Sequence, residues 1–218
     1  GYSDNYRAVF GESDFLPGLI VDKYGDYLSV QFLTLGMDVR KEMIIKILVD
    51  IFHPIGIYER SDVSVRIKEG LKECKGTLYG EVPDKVNIIE NDIKLAIDIK
   101  NGQKTGYFLD QKENRDNIKY YCKDKTVLDC FCNVGGFSLN ASKNGASKVT
   151  SLDISEKAIS EVNDNAKLNA FTNIETITCD VFEKLREYKK NNTKFDVIVL
   201  DPPAFIKSVD TIKQGYNG

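Results

Sequence analysis

The chain has 218 residues, of which 42% are hydrophobic and 29% charged, and its formal net charge is −3. This is the balance of a globular protein with room for one large domain or two small ones. No run of about 18 apolar residues predicts a transmembrane helix, the opening GYSDNYRAVF lacks the basic-then-apolar order of a secretory signal, and the slight acidity argues mildly against nucleic acid unless a patch or a further domain supplies positive charge.

The first residue is Gly1 rather than Met, which suggests a tag remnant or a piece of a longer protein. The five cysteines, Cys74, Cys122, Cys130, Cys132 and Cys179, are odd in number and follow no signal, which points to a reducing cytoplasm. Cys130 and Cys132, spaced by two on a predicted strand, point the same way. A metal site would need a second close pair, and the one histidine is His53. The expectation is therefore small buried residues on a sheet face, no metal and no membrane partner.

Residues 1–100 read as a small α+β domain, a candidate RNA-binding or substrate domain. Strands at 19–21 and 27–35 flank Lys23, Tyr24, Gly25 and Asp26 as a hairpin. Asp38 then stands as N-cap before Met43, Ile44, Ile47, Leu48 and Ile51, a helical spacing that ends near Phe52 because Pro54 follows. Strands follow at 55–59, 77–80, 85–90 and 93–99, with a short helix or loop at 61–68 and a turn at Asn91 and Asp92. Arg60, Arg66 and Lys68 form an RNA-facing patch or, more simply, a solvated charged face.

Residues 101–124 are a connecting segment. Asp110 and Glu113 have the spacing of a capping box, starting a helix from 111 to about 121. Lys104, Tyr107, Asp110 and Arg115 are more functional side chains than a helix entry requires, so the segment is a capped linker or a clamp over a ligand.

From residue 125 to 218 strands alternate with helices: strands at 126–130, 148–152, 174–178 and 195–200, helices at 137–143, from Ser155 through Ala158, Ile159, Val162 and Ala166, and at 181–190. The pattern predicts an α/β domain with a parallel, doubly wound sheet that binds ligands at the carboxyl ends of its strands. The first strand runs into VLDCFCNVGGFS, a strand, tight glycine turn and helix start that present backbone N–H groups to a ligand. The spacing is neither that of a dinucleotide fingerprint nor that of a P-loop. Asp129, Asp153, Asp180 and Asp201 end the four strands. Asp153 suits two ribose hydroxyls and Asp180 an adenine amino group, although Asp180 also has the best claim to be a plain helix cap. Asp201, Pro202, Pro203, Ala204 and Phe205 fix an extended backbone whose carboxylate and aromatic ring can face a flat base.

These stretches, with Asn165–Asn169 (NAKLN), Cys179–Phe182 (CDVF) and Lys104–Gln111 (KTGYFLDQ) followed by Asn114 and Arg115, resemble class I S-adenosylmethionine (SAM)-dependent methyltransferases, in particular the bacterial 23S rRNA 5-methylcytosine methyltransferases. The resemblance covers nearly the whole chain. It implies a Rossmann-like sheet preceded by the small α+β domain, SAM as cofactor and 23S ribosomal RNA as partner. Asp129, Phe131, Asn133, Gly135 and Gly136 would cradle the methionine part. Asp153 and Ile154 would take the ribose, Asp180 and Val181 the adenine, and Lys104, Tyr107, Asp110 and Arg115 would close over the cofactor. Asp201, Pro202, Pro203 and Phe205 would receive the target base.

In that family a thiolate adds to carbon 6 of cytosine and makes carbon 5 nucleophilic. Its cysteine motif and about three further strands lie beyond Gly218, and its N-terminal PUA domain is not in the sequence. The expectation is a chain that binds cofactor without methylating by itself and exposes its fourth strand as an edge, a route to a homodimer. Alternatives are methylation of a guanine or adenine nitrogen through Asp201–Pro202–Pro203, which needs no cysteine, and a non-catalytic RNA-binding protein with a vestigial site. An NAD-dependent oxidoreductase is disfavoured by the turn spacing.

Overall fold

The computed structural model describes residues 4–203, and the chain divides into two compact units, residues 1–112 and 113–218. Phe205 lies outside the described residues.

The first unit holds β1 (Asn5–Phe10), β2 (Leu19–Tyr24), β3 (Tyr27–Phe32), α1 (Leu35–Asp38), α2 (Lys41–Phe52), β4 (Gly56–Ser61), α3 (Val65–Lys68), β5 (Cys74–Gly80), β6 (Val86–Glu90) and β7 (Ile93–Ile97). β1 to β5 form one sheet in sequence order, antiparallel except for the β3–β4 pair, and β6 pairs with β7 as a separate hairpin. Helix α2 lays Ile44 and Leu48 onto Leu19, Val21, Leu28, Val30, Phe32 and Ile57 of the sheet. β1 carries no clear alternation and escapes a sequence reading; pairing with β2 makes it a strand, with an irregularity between Arg7 and Val9.

Two local expectations are corrected. Asp38 does not cap α2. Arg40 stands at that position without a side-chain cap, while the Asp38 carboxylate pairs with Lys41 Nζ at 3.2 Å and Arg66 Nη1 at 3.0 Å. Arg60 and Arg66 form neither a patch nor a solvated face. Arg60 is 6% exposed and donates to the carbonyls of Ile99 at 3.0 Å and Gly102 at 2.8 Å; Arg66 is 3% exposed and donates to the carbonyls of Lys72 and Phe32. Each guanidinium satisfies backbone acceptors that the loops leave unpaired. Lys68 alone of the three is exposed.

The connecting segment 101–124 is shared between the units. Its first part is tied to the first unit: Tyr24 Oη accepts from the Tyr107 N–H at 3.2 Å and lies 3.0 Å from Thr105 Oγ1, and Tyr107 Oη donates to Glu90 at 3.1 Å. Asp110 sits in a 3-10 turn (Leu109–Gln111) and faces Lys104 Nζ at 3.4 Å rather than opening one long helix. α4 (Lys112–Asn117) gives way to a 3-10 turn at Ile118–Tyr120.

The second unit continues with β8 (Thr126–Cys130), α5 (Gly136–Lys143), β9 (Lys148–Asp153), α6 (Glu156–Leu168), β10 (Ile174–Thr178), α7 (Val181–Lys190) and β11 (Val197–Leu200). The strand order is β10-β9-β8-β11, all parallel. Val127 and Val149 pack with Ala141 of α5 on one face, and Leu128 and Leu152 with Val181 of α7 on the other. The chain steps outward from β8 to β10 and then returns to the far side of β8. The β8–β11 boundary is therefore the switch point at which such sheets open a crevice.

Candidate functional site

The site is built on the loop after β8. Its backbone is left-handed at every second residue: Phe131 (φ 61°), Asn133 (φ 50°) and Gly135 (φ 84°). Asn tolerates this region, so Asn133 serves where a glycine would be easiest. Gly135 has a second constraint: a Cβ there would sit 3.0 Å from both Val162 methyls, so α6 presses directly on the loop.

The N–H groups of this loop are less available than the sequence suggests. Cys132 N–H donates to the Leu152 carbonyl at 3.0 Å, Asn133 to Asp153 Oδ2 at 3.0 Å, Val134 to Asn133 Oδ1 at 2.6 Å, and Gly135 to the Cys132 carbonyl at 2.8 Å. The loop is thus a prefolded floor whose four central donors hold its own shape. Asn165 Nδ2, buried in α6, donates to the Val134 carbonyl at 3.4 Å and adds a tie from behind.

Asp129 is 1% exposed and accepts from the Ser138 N–H at 3.0 Å and from Ser138 Oγ at 2.6 Å; that hydroxyl lies 2.6 Å from Ser151 Oγ. It therefore fixes the first turn of α5 from the strand beside it. Burial pushes its carboxyl up to about 7; the Ser138 bonds pull it down, and the charges of Asp201 and Asp153 add to the rise. Ser138 and Ser151 carry no motif that marks them in the sequence. The signal was a short hydroxyl two residues into the helix and another paired with Asp129 in the β8–β9 register.

Asp153 closes β9. Oδ2 holds Asn133, and Oδ1 accepts from the Ser155 N–H at 2.9 Å. Each oxygen retains a lone pair, so the carboxylate can still take two hydroxyls. Ile154 beside it is 71% exposed, an apolar side chain left in solvent next to a polar anchor. Asp180 accepts from the Glu183 N–H at 3.0 Å and is the N-cap of α7, as its bland reading anticipates. Val181 is buried in the α7 core, and Phe131 packs its ring 5.4 Å from that of Phe182. Asp201 and Pro203 are exposed and Pro202 half-buried, just past the Leu200–Cys130 pair.

Lys104, Tyr107 and Asp110 belong to the first unit and Arg115 to the second. Lys104 is left-handed (φ 52°), and its ammonium lies 4.4 Å from the Phe108 ring centroid. Tyr107 and Arg115 are buried. Cys130 and Cys132 do not share a sheet face. β8 ends at Cys130, and the left-handed Phe131 turns Cys132 into the cluster of Ile159 and Val162. Burial raises all five thiols above their ordinary value, Cys130 to about 12. Among the described residues no group of three or more His, Cys, Asp or Glu could hold a metal, and no helix is long and apolar enough to cross a membrane.

Asp153 at the end of β9 and the exposed Asp201 past β11, around a preformed left-handed loop that the buried Asp129 anchors, with exposed Ile154 and a half-buried Phe131 alongside, fit a cationic nucleoside: acceptors for hydroxyls, apolar surface for a flat ring and negative charge for a cation. Comparison with known proteins agrees. The family model described as S-adenosylmethionine-dependent methyltransferase matches residues 68–218. The Ribosomal RNA large subunit methyltransferase I of Aliivibrio fischeri (strain MJ11) is 45% identical over 216 residues, 98% of this chain and 54% of that protein. A proposed SAM-dependent methyltransferase from Streptococcus mutans superposes with a TM-score of 0.81 at 26% identity, over 99% of this chain and 58% of that one. A proposed methyltransferase complexed with SAH gives the same TM-score and identity over 94% of this chain and 53% of that one. The chain thus spans about half the length of the curated relatives it matches.

Proposed function

The chain belongs to the S-adenosylmethionine-dependent methyltransferase family, and from that premise we propose that it carries the cofactor site of an RNA methyltransferase acting on 23S ribosomal RNA, at carbon 5 of a cytosine. The fold is the Rossmann-like class I arrangement. The observation that carries the reading is the placing of Asp129, Asp153 and Asp201 at the carboxyl ends of the neighbouring strands β8, β9 and β11, with Asp153 bound to the loop that follows β8. The rRNA substrate is taken from the relatives named for ribosomal RNA.

In this reading the bound cofactor supplies an electrophilic methyl on a sulfonium. Asp153 accepts the ribose hydroxyls while holding Asn133. Asp129 keeps the loop and α5 in place through Ser138. Asp180 caps α7 with one oxygen and meets the adenine amino group with the other. Asp201 accepts from the amino edge of the target base, and Pro202 and Pro203 keep that backbone extended. Much of the rate then comes from holding the two reactants in line.

Methylation at carbon 5 also needs a thiolate. The five thiols here are raised rather than lowered, so none is suited to that attack. The exposed Asp201 just past β11, followed by Pro202 and Pro203, serves equally a second reading, methylation of a guanine or adenine nitrogen, which needs no cysteine. Calorimetry with SAM tests the cofactor site: saturable binding is expected, and none would overturn both readings. Transfer of labelled methyl to 23S rRNA, mapped to the nucleotide, separates carbon from nitrogen. Carbon-5 methylation by this chain alone would refute the requirement for a further cysteine.

A further inference from the structure

Charge is divided across the sheet of the second unit. The carboxyl ends of its strands carry Asp129, Asp153, Asp180 and Asp201, whereas the segment entering β8 reads IKYYCKDK and carries Lys119, Lys123 and Lys125. Within that segment Ile118 and Cys122 are buried in the core under α5. Tyr120 and Tyr121 are thereby turned outward, 71% and 67% exposed. Lys119 Nζ lies 5.2 Å from the Tyr120 ring centroid and pairs with Asp116.

Two backbone bonds hold the same segment beside the end of α5: Asp124 N–H to the Gly145 carbonyl and Ser147 N–H to the Lys125 carbonyl, both 2.8 Å. They bring Lys143, in the last turn of α5, onto the same end of the sheet. A lysine there is expected from the helix dipole alone. The dipole does not explain Lys123 and Lys125 outside any helix, nor two consecutive tyrosines left in water. At this end of the sheet Lys119, Lys123, Lys125, Lys143, Lys148 and Lys194 stand against Asp116, Asp124, Glu175, which pairs with Lys148, and Asp196, which accepts from the Thr126 N–H at 2.8 Å beside Lys125, so lysines still outnumber acids while the opposite end of the sheet is anionic.

We propose that this surface docks a single-stranded segment of the RNA substrate, with Lys123, Lys125 and Lys143 on phosphates and Tyr120 and Tyr121 stacked on bases. The proposal rests on the reading of the chain as an RNA methyltransferase and names the surface that reading lacks. Phosphates are repelled by the acidic end where the cofactor site lies, so the polyanion requires cationic ground elsewhere. Aromatic faces between lysines match the chemistry of single strands, whose bases are free to stack, better than that of a duplex.

The test is fluorescence anisotropy of the full chain with a labelled 12-nucleotide single-stranded RNA of mixed sequence, over a salt series and without cofactor. The double change Tyr120→Ala, Tyr121→Ala is expected to weaken binding about tenfold or more with the salt slope unchanged. The double change Lys123→Ala, Lys125→Ala is expected to weaken it and to lower the slope by roughly 1.4, two phosphate contacts on a single strand. Calorimetry with SAM on the same proteins checks that they are folded and judges the cofactor reading separately. The docking surface is overturned if the parent chain does not bind the RNA, if both double variants bind like the parent, or if a duplex of the same sequence competes equally well. RNA binding with this mutational pattern in a chain that binds no SAM would leave the surface standing and remove the enzyme.

Discussion

The N–H of Asn133 donates to Oδ2 of Asp153 at 3.0 Å, so the acid that ends β9 also shapes the loop that follows β8. One carboxylate has two tasks, and a single change removes both. Asp153→Ala removes the acceptor for Asn133, the acceptor for Ser155 and the proposed ribose anchor. Cofactor affinity is expected to fall roughly 10–100-fold by calorimetry, because bonds to a charged group contribute about 1.5–3 kcal/mol. Ser155→Ala removes only the cap that accepts from the Ala158 N–H at 3.2 Å. It should cost about 1 kcal/mol in urea titration and leave affinity unchanged. Equal SAM binding by Asp153→Ala and the parent would sink the assignment.

Asn133 and Gly135 test the shape of the loop. Asn133→Gly keeps the left-handed backbone at no steric cost but removes the Oδ1 acceptor of the Val134 N–H, and a loss of about 1 kcal/mol is expected. Asn133→Val loses the same acceptor and also places a β-branched residue at φ 50°, which should cost roughly 1–2 kcal/mol more than the glycine. Gly135→Ala meets both a φ of 84° and the Val162 methyls at 3.0 Å, and should be the worst tolerated of the three. Denaturant midpoints that rank valine level with glycine at 133 would show that the loop is not left-handed there.

The buried Asp129 gives a pH dependence with a defined sign. Its carboxyl is raised from the ordinary value of 3.8 to about 7, chiefly by burial, so the folded chain binds more protons than the unfolded one between those values. Stability therefore falls as pH rises from about 4 to about 7 and levels off above, with a swing on the order of 4 kcal/mol from this residue. Asp129→Asn keeps an acceptor for Ser138 but cannot ionise. The difference in melting temperature between variant and parent should shift in favour of the variant as pH rises from 5 to 8. A difference that does not change with pH would remove Asp129 as its source.

Arg60 distinguishes a structural guanidinium from an RNA contact. Arg60→Leu strands the carbonyls of Ile99 and Gly102. It should destabilise the chain by about 2–4 kcal/mol. Lys68→Ala, at an exposed position, should stay within about 0.5 kcal/mol. RNA affinity per folded molecule should be the same for Arg60→Leu and the parent. A selective loss of RNA binding without loss of stability would restore the surface reading of Arg60.

Much of the second unit was legible in the sequence because its signals are local. Val127–Leu128, Val149 and the apolar face Ile159, Val162 and Ala166 announce their elements through spacing alone. Ser155 and Asp180 sit where a helix start requires an acceptor, and each caps its helix. A parallel sheet with acids at its carboxyl ends follows from strand–helix alternation and the handedness of crossovers.

What only the tertiary structure decided were the partners of buried charge. Whether a guanidinium meets water or a carbonyl depends on which loop passes over it; Arg60 and Arg66 thus leave the surface, and Asp38 exchanges a helix cap for Lys41 and Arg66. Asp129 became the anchor of α5 because the strand register sets Ser151 opposite it and the loop returns Ser138 to it. The loop's own N–H groups proved to be committed within the protein. Spacing in sequence fixes which side chains a segment can present. The folded chain determines which of them are already satisfied, because hydrogen bonds between distant segments exist only once the backbone has closed.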